Sequence, residues 1–274
     1  MKKLSIITVN LNNCTGLKRT IESVHKQTFT DFEYIIIDGG SSDGSLEIIQ
    51  QLDTCLIENY KWISEIDSGV YEAMNKGIHL STGEYLLFLN SGDYLVNEKV
   101  LEDVFSESHS SDFLLGRCNV SDEGIVIHTT NPPDIMTFGY LYYAGLNHQS
   151  TFIKKEMFLK YGYYREDFRY NADIEFWHRT IILQNCSTKT LSLVITNYNK
   201  DGISSKECNS NAYQKELAEI FSHPILRRFT PDYDAWKKEQ QKLEIMYWIK
   251  SKKTIYGMLQ IMYKLACWRV KLRK

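Results

Sequence analysis

The sequence predicts an α/β protein whose sheet is mostly parallel. Two observations support this. Residues 4–9 and 34–37 are apolar without polar alternation, which is typical of strands buried on both faces. Helical spacing follows the first strand, because Leu17, Ile21 and Val24 recur at intervals of four and three residues. Strands that alternate with helices form parallel sheets with right-handed crossovers.

The remaining elements follow in order along the chain. The first strand ends at Asn10, too early for the apolar core of a signal peptide. Later apolar patterns predict helices at 46–52, 70–78, 99–105, 156–161 and 173–183, and strands near 62–66, 85–89, 113–120, 125–130, 151–153 and 191–198. The looser alternation after residue 98 indicates a mixed extension of the sheet. Beyond about residue 208 the pattern is helical to the end.

Composition excludes several classes of protein. The 32 basic and 34 acidic residues nearly cancel, so nothing indicates a nucleic-acid partner. The six cysteines include no C-x-x-C pair, which argues against a zinc site or a disulfide framework and favours reduced cytosolic thiols. No apolar stretch approaches the roughly 18 residues that a membrane-spanning helix needs. We therefore expect a cytoplasmic protein without a membrane span.

Polar side chains follow three of the predicted strands where each strand ends. The carboxyl ends of parallel strands meet at one edge of a sheet, where ligands bind. Amides and carboxylates accept hydrogen bonds from a base and ribose, and a carboxylate can hold a divalent cation against a diphosphate. A nucleotide site is therefore expected at this edge, although residues 38–44 alone are also typical of a turn with a capping aspartate. The side chains concerned are Thr8, Asn10, Asp38, Asp43, Asn90, Ser91 and Asp93.

Four motifs occur together in a recognisable order and spacing. They are SIITVN at 5–10, DGGSSDG at 38–44, AMNKG at 73–77 and LFLNSGD at 87–93. With them the chain resembles the family 2 inverting glycosyltransferases of GT-A fold, over residues 3–95 and, less closely, 145–205. The resemblance implies a Rossmann-like GT-A sheet flanked by helices, and transfer of a sugar from a nucleotide-sugar donor, expected to be UDP-linked.

The resemblance also implies roles for single residues. Positions matching Thr8 and Asp38 hold the base and ribose, and Asp93 is the metal-binding end of a D-x-D-type motif for Mg²⁺ or Mn²⁺. Asn90 stands where many members have the first aspartate, and Met74 replaces a frequent arginine. One clear carboxylate then remains, so diphosphate oxygens and water would complete the coordination.

Three further residues are expected near the donor. Residues 64–77 resemble a subgroup that assembles bacterial surface polysaccharides, in which Asp67 and Asn75 lie close to the donor. The two are also typical of an acid at a helix N-terminus and a capping amide. His148, followed by glutamine, resembles pairs found near the donor pyrophosphate, although an isolated histidine is often structural.

Inversion at an anomeric carbon needs a base that takes the proton of the attacking hydroxyl. Asp173, in NADIEFWHR at 171–179, matches the family motif whose aspartate is this base. The alternative is a first-turn acid that complements the helix dipole. Glu175 is a second, less favoured candidate for the base.

We expect three parts in the chain. Residues 1–97 form a nucleotide-sugar-binding half, 98–207 an acceptor-binding half, and 208–274 a helical basic extension. Residues 201–205 resemble a loop that covers the donor. The last thirty residues contain eight lysines and arginines and no acid, with apolar residues between them. This is typical of an interfacial helix pair at the inner face of the plasma membrane, and also of a solvated face or an oligomer contact.

The predicted function is an inverting, metal-dependent glycosyltransferase in cell-surface polysaccharide biosynthesis, with a glycan or lipid-linked saccharide as acceptor. A sugar-nucleotide-forming nucleotidyltransferase would have a Gly-rich basic loop after the first strand. Residues 10–16 contain one glycine and no arginine. An inactive carbohydrate-binding or scaffold protein would tolerate loss of Asp93 and Asp173, and both are present.

Overall fold

The first four strands form a parallel half-sheet. A computed structural model describes residues 2–52, 60–122, 124–199, 207, 210–252, 258, 260 and 262. The strands are ordered β3-β2-β1-β4, and every neighbouring pair is parallel. The elements are β1 (Leu4–Asn10), α1 (Cys14–His25), β2 (Phe32–Asp38), α2 (Ser45–Gln51), β3 (Tyr60–Ser64), α3 (Val70–Leu80) and β4 (Tyr85–Phe88).

This half matches the prediction closely, with one shift. The third strand was expected near 62–66 but ends at Ser64, because Ile66 is 87% exposed and belongs to the following loop. All seven residues of β1 and of β2 are buried. Both faces of these strands are covered by other parts of the chain. Burial of each large apolar side chain contributes about 1.5–3 kcal/mol to the free energy of unfolding, and this is the main stabilisation of this half.

The second half extends the sheet in mixed fashion, as expected. The order continues from β4 through β8, β6 and β9 to β5, with β7 paired to β6. β8 is antiparallel to both β4 and β6, whereas β6 and β9 are parallel. The elements are β5 (Tyr94–Leu95), α4 (Val100–Val104), β6 (Phe113–Asp122), β7 (Ile125–Thr129), α5 (Phe138–Tyr143), β8 (Thr151–Lys154), α6 (Lys155–Tyr161), α7 (Ala172–Trp177) and β9 (Thr188–Asn199).

Two details of this half differ from expectation. The helix predicted over 173–183 is α-helical only in α7, and continues as a π-helical segment, His178–Ile182. The short elements β5 and α5 were not predicted. Their lengths, two and six residues, are too small for a periodic pattern to show.

The chain divides into two compact units after Ile220. The start of the helical extension at residue 208 stays a prediction. Most of helix α8 (Asn211–Phe221) lies in the first unit, where its Glu216 binds backbone N–H groups of residues 169–171.

The second unit contains the long helix α9 (Thr230–Ser251). Its apolar residues do not gather on one face. None of the helices in the described part of the chain combines the length and apolar character needed to cross a bilayer. Most of the basic tail, and all of the predicted loop at 201–205, lie outside the described residues.

Candidate functional site

Asp38 is the centre of a hydrogen-bonded cluster at the carboxyl edge of the sheet. The strand register places it beside Asn10 of β1 and Ser64 of β3. Its Oδ1 accepts from Asn10 Nδ2 (2.8 Å) and Ser41 Oγ (2.6 Å), and its Oδ2 from Ser41 N (2.9 Å) and Ser64 Oγ (2.7 Å). Burial opposes ionisation, but these bonds outweigh it and hold the pKa of Asp38 below its ordinary value. The carboxylate is therefore ionised and stiffens the loop after β2.

The loop at 38–44 needs its glycines. Gly40 and Gly44 have φ angles of +79° and +92°, in the left-handed region that favours glycine. Gly44 is the residue from which α2 begins. The DGGSSDG motif therefore combines glycines that the backbone conformation favours with polar side chains that form hydrogen bonds.

The first turn of α1 joins this loop to the next one. Asp43 Oδ2 accepts a hydrogen bond from Cys14 N (2.7 Å), and its Oδ1 accepts from Ser45 Oγ (2.6 Å). On the neighbouring residue, Asn13 Nδ2 donates to the carbonyl oxygen of Ser91 (2.9 Å). The loops that follow β2 and β4 are thus held by adjacent residues of one helix, at a single edge of the sheet.

Thr8 lies inside the sheet. Its side chain is fully buried, and its hydroxyl donates to the carbonyl oxygen of Leu89 (2.7 Å) and lies 2.9 Å from the Tyr34 hydroxyl. Contact between Thr8 and a nucleotide base therefore stays a prediction.

Asp67 lies beside the Asp38 loop, since a methyl group on Gly39 would be 3.3 Å from Asp67 Oδ2. It forms an ion pair with Lys76, whose amino group also binds Glu65 (2.8 Å) and Glu72 (3.0 Å). Burial, with the nearby Glu72 and Glu65, raises the pKa of Asp67 despite the lysine. The three carboxylates in turn outweigh burial and raise the pKa of Lys76.

Asn75 connects the two halves of the first unit. Its Nδ2 donates to the carbonyl oxygen of Tyr164 and to Glu166 Oε1, both at 2.9 Å, and its Oδ1 accepts from Tyr164 N (3.1 Å). Both polar atoms of the amide already have protein partners. Its predicted donor contact stays a prediction, and the observed contacts are structural.

A second cluster brings the predicted catalytic residue to the end of β4. His148 Nδ1 lies 3.3 Å from Asp173 Oδ2, and His148 Nε2 lies 3.3 Å from Asn90 Nδ2. On the other carboxylate oxygen, the Tyr71 hydroxyl lies 3.0 Å from Asp173 Oδ1 and 2.9 Å from the carbonyl oxygen of Tyr170. His148 and Tyr71 therefore orient Asp173 from both sides.

Asp93 interacts electrostatically with His148. Its side chain is buried, and burial raises the pKa of Asp93 to about 7, although the charge of His148 lowers it. Burial lowers the pKa of His148, but Asp173 and Asp93 outweigh burial and raise it above its ordinary value.

The end of β4 also offers oxygen ligands for a hard divalent cation. Asn90 Oδ1 is buried without a hydrogen-bond partner, and the Asp93 side chain nearby is also buried. The same part of the chain holds no group of three or more acidic, histidine or cysteine side chains suited to a metal. Asn90 and Asp93 therefore fit a cation whose remaining ligands come from a diphosphate and water.

The structure thus gathers the predicted residues into two adjacent groups. Asn10, Asp38, Asp43 and Asp67 lie around the loop after β2, whereas Ser91, Asp93, His148 and Asp173 lie around the loop after β4. Sequence reasoning missed Tyr71, which precedes Asn75 by one helical turn and shares its face of α3. Glu175, the alternative base, is paired with Arg179 Nε at 2.9 Å.

A parallel half-sheet with acids and amides at its carboxyl ends is the architecture of α/β enzymes that bind nucleotides. The chain belongs to glycosyl transferase family 2, whose model matches residues 5–149. A PGL/p-HBAD biosynthesis glycosyltransferase of Mycobacterium bovis is 31% identical over 219 residues, covering 78% of this chain and 83% of the relative. The poly(ribitol-phosphate) beta-N-acetylglucosaminyltransferase TarP of Staphylococcus aureus is 35% identical over 130 residues, 45% of this chain and 39% of that protein.

Solved structures confirm the predicted GT-A fold class. Residues 1–349 of S. aureus TarS, in complex with UDP-GlcNAc, superpose with a TM-score of 0.62 at 20% identity, over 74% of this chain and 60% of that chain. The mannosyltransferase PcManGT from Pyrobaculum calidifontis, in complex with GDP-Man and Mn²⁺, gives 0.61 at 14% identity, over 85% and 68%. The family match confirms the predicted glycosyltransferase over the nucleotidyltransferase alternative.

Proposed function

We propose that this glycosyltransferase is inverting and metal-assisted, and that it transfers a sugar from a UDP-linked donor during cell-surface polysaccharide assembly. The observation that carries the proposal is the row of side chains from Asn90 and Asp93 through His148 to Asp173. It supports the proposal because it joins an oriented carboxylate to the residues proposed as cation ligands, and single-displacement sugar transfer needs a base that deprotonates the acceptor hydroxyl.

In the proposed reaction, Asp173 is the general base. Its carboxylate takes the proton of the acceptor hydroxyl, and the hydroxyl oxygen attacks the anomeric carbon of the donor. The bond from that carbon to the diphosphate oxygen breaks, and UDP leaves with the bonding electron pair on the opposite face. Hydrogen bonds from Tyr71 and His148 hold Asp173 in one orientation, so that little motion is needed to reach the reactive geometry.

The donor nucleotide is placed along the loops after β2 and β4. We assign the base and ribose to the side of Thr8, Asn10, Asp38, Asp43 and Asp67, with Asn75 beside them, and the diphosphate to the side of Ser91, Asp93 and His148. UDP as the nucleotide is supported by TarS, a structural neighbour solved with UDP-GlcNAc.

Mg²⁺ or Mn²⁺ is the proposed cofactor, held by Asn90 Oδ1 and the Asp93 carboxylate. When bound, the cation neutralises charge that develops on the departing diphosphate. The unpartnered Asn90 Oδ1 supports this assignment. With only these two protein ligands, the cation should bind weakly until the donor supplies diphosphate oxygens.

We further propose a glycan or lipid-linked saccharide as acceptor, and contact with the inner face of the plasma membrane through the basic extension. The name of TarP, a poly(ribitol-phosphate) beta-N-acetylglucosaminyltransferase, supports a polymeric surface acceptor. The proposal assigns 1–97 to the donor, 98–207 with the added helix α8 to the acceptor and base, and the rest to the extension.

The test is a thermal-shift panel of nucleotide sugars with MnCl₂, followed by UDP-release assays on the donor that stabilises best. Asp173→Asn should bind UDP as the wild type does but lose transfer. The matched control is Glu175→Gln, which keeps the shape of the helix and should retain transfer. Normal transfer by Asp173→Asn, or its loss only in Glu175→Gln, would assign the base elsewhere.

A further inference from the structure

The segment that carries Asp173 is held by a helix outside the expected catalytic region. Glu216, on α8, accepts hydrogen bonds from three consecutive backbone N–H groups: Arg169 N (2.7 Å, to Oε1), Tyr170 N (3.0 Å, to Oε2) and Asn171 N (3.0 Å, to Oε2). The Asn171 side chain adds a fourth bond to Oε2 (3.0 Å). The Glu216 carboxylate therefore accepts hydrogen bonds from all three backbone N–H groups that immediately precede α7.

This contact fixes the backbone immediately before α7. Within α7, Asp173 Oδ1 accepts a hydrogen bond from Ile174 N (2.9 Å), whereas Asn171, at the capping position, forms no side-chain cap. Its amide is instead fully buried and also donates to the carbonyl oxygen of Tyr213 on α8 (3.1 Å). The three residues that lead into α7 are therefore held by α8.

The same segment is held from the opposite side by α3. The Tyr71 hydroxyl reaches both the carbonyl oxygen of Tyr170 and Asp173 Oδ1. The backbone of 169–171 thus lies between Tyr71 and Glu216, and Asp173 follows two residues later. Movement of that backbone away from α8 would move the carboxylate relative to His148.

We propose that Glu216 is a positioning residue for the base, acting through the backbone of residues 169–171. The inference rests on the proposed function, in which Asp173 removes the proton of the nucleophile. Charge-assisted hydrogen bonds are stronger than neutral ones, so the carboxylate holds this segment more firmly than an amide would. A displacement of a reacting group by about 1 Å can cost on the order of 100-fold in rate.

The experiment measures hydrolysis of the UDP-sugar, from a panel of UDP-glucose, UDP-galactose and UDP-N-acetylglucosamine, that the full-length wild type turns over fastest. Water is then the nucleophile and no acceptor is needed. Glu216→Ala should lower kcat by about tenfold or more while KM and the calorimetric Kd for UDP with Mn²⁺ stay within about twofold. Glu216→Gln can keep three of the four bonds, and should lie between Glu216→Ala and the wild type.

Glu219 provides a matched control on the same helix. It pairs with Arg165 at 2.6 Å on the exposed surface, so Glu219→Gln should leave kcat unchanged. Equal kcat in Glu216→Ala and the wild type would overturn the proposal. So would a parallel loss of kcat and UDP affinity, which would indicate general disruption. If Glu216→Ala does not fold, wild-type kcat in Glu216→Gln overturns the proposal, and a lowered kcat with unchanged UDP affinity supports it.

Asp173→Asn separates this inference from the function on which it rests. If Asp173→Asn is inactive and Glu216→Ala is fully active, the positioning role alone is wrong. Wild-type hydrolysis by Asp173→Asn would overturn both the assignment of the base and the role of Glu216.

Discussion

Replacement of Asn75 by alanine tests whether this residue is structural or binds the donor. The substitution removes three hydrogen bonds between α3 and residues 164–166, and leaves the buried backbone N–H and carbonyl of Tyr164 without their partner. At about 1 kcal/mol for each bond, the free energy of unfolding should fall by about 3 kcal/mol. For a domain of this size the thermal midpoint should then fall by roughly 6–12 °C.

Scanning calorimetry measures the midpoint, and titration of UDP with Mn²⁺ well below the midpoint measures binding. Asn97→Ala is the control, because its exposed side chain makes one local bond, to Lys99 N (2.8 Å), and the midpoint should barely change. If Asn75 is structural, its alanine variant binds UDP within about twofold of the wild type, a difference of less than 1 kcal/mol. An unchanged midpoint together with lost UDP binding would refute the structural interpretation.

Three further predictions concern the cation, pH and packing. Asp93→Asn should lose the gain in UDP affinity that Mn²⁺ gives. Its metal-free thermal midpoint should equal or exceed that of the wild type, because a buried charge is removed. A calorimetric effect of Mn²⁺ on UDP affinity that persists in the variant would contradict this. Burial raises the pKa of Glu33, but hydrogen bonds from Lys61, Ser5 and Thr82 outweigh it and lower the pKa. The ionised group therefore stabilises the fold above the ordinary glutamate pKa, and this stabilisation is lost as pH falls through the lowered value. The urea midpoint of the wild type should fall on acidification, and the midpoint of Glu33→Gln should fall less. An equal dependence of the two midpoints on pH would exclude the effect. Gly77→Ala should destabilise by about 1–3 kcal/mol in urea unfolding, because the added methyl would overlap Ile7 on β1; an unchanged midpoint would show that α3 can move away.

The first half of the fold was predictable because its elements are long and its strands fully buried. The runs that form β1 and β2 have no polar residue facing solvent, so a parallel arrangement was the consistent interpretation. The second half was harder because its pairings join distant parts of the chain. The insertion of β8 between β4 and β6 has no local signal, and the two residues of β5 form a strand only because β9 pairs with them.

The candidate site was predictable as a set of residues rather than as a set of contacts. Motif spacing indicated Asp38, Asp93 and Asp173; the first two follow β2 and β4, and Asp173 contacts His148, which contacts Asn90 after β4. Motif spacing could not show that the Asn75 side chain binds backbone groups, because an asparagine in a helix gives the same sequence pattern whether it is structural or binds a ligand. It also could not reveal Glu216, whose partners lie more than forty residues earlier in the chain.

The shared attachment of two loops to α1 restricts how the cleft can change. Asn13 donates a hydrogen bond to the turn after β4, and the adjacent Cys14 donates one to the turn after β2. A substitution in this turn therefore acts on both loops at once, so the carboxyl edge of the sheet responds as one unit and not as two independent loops.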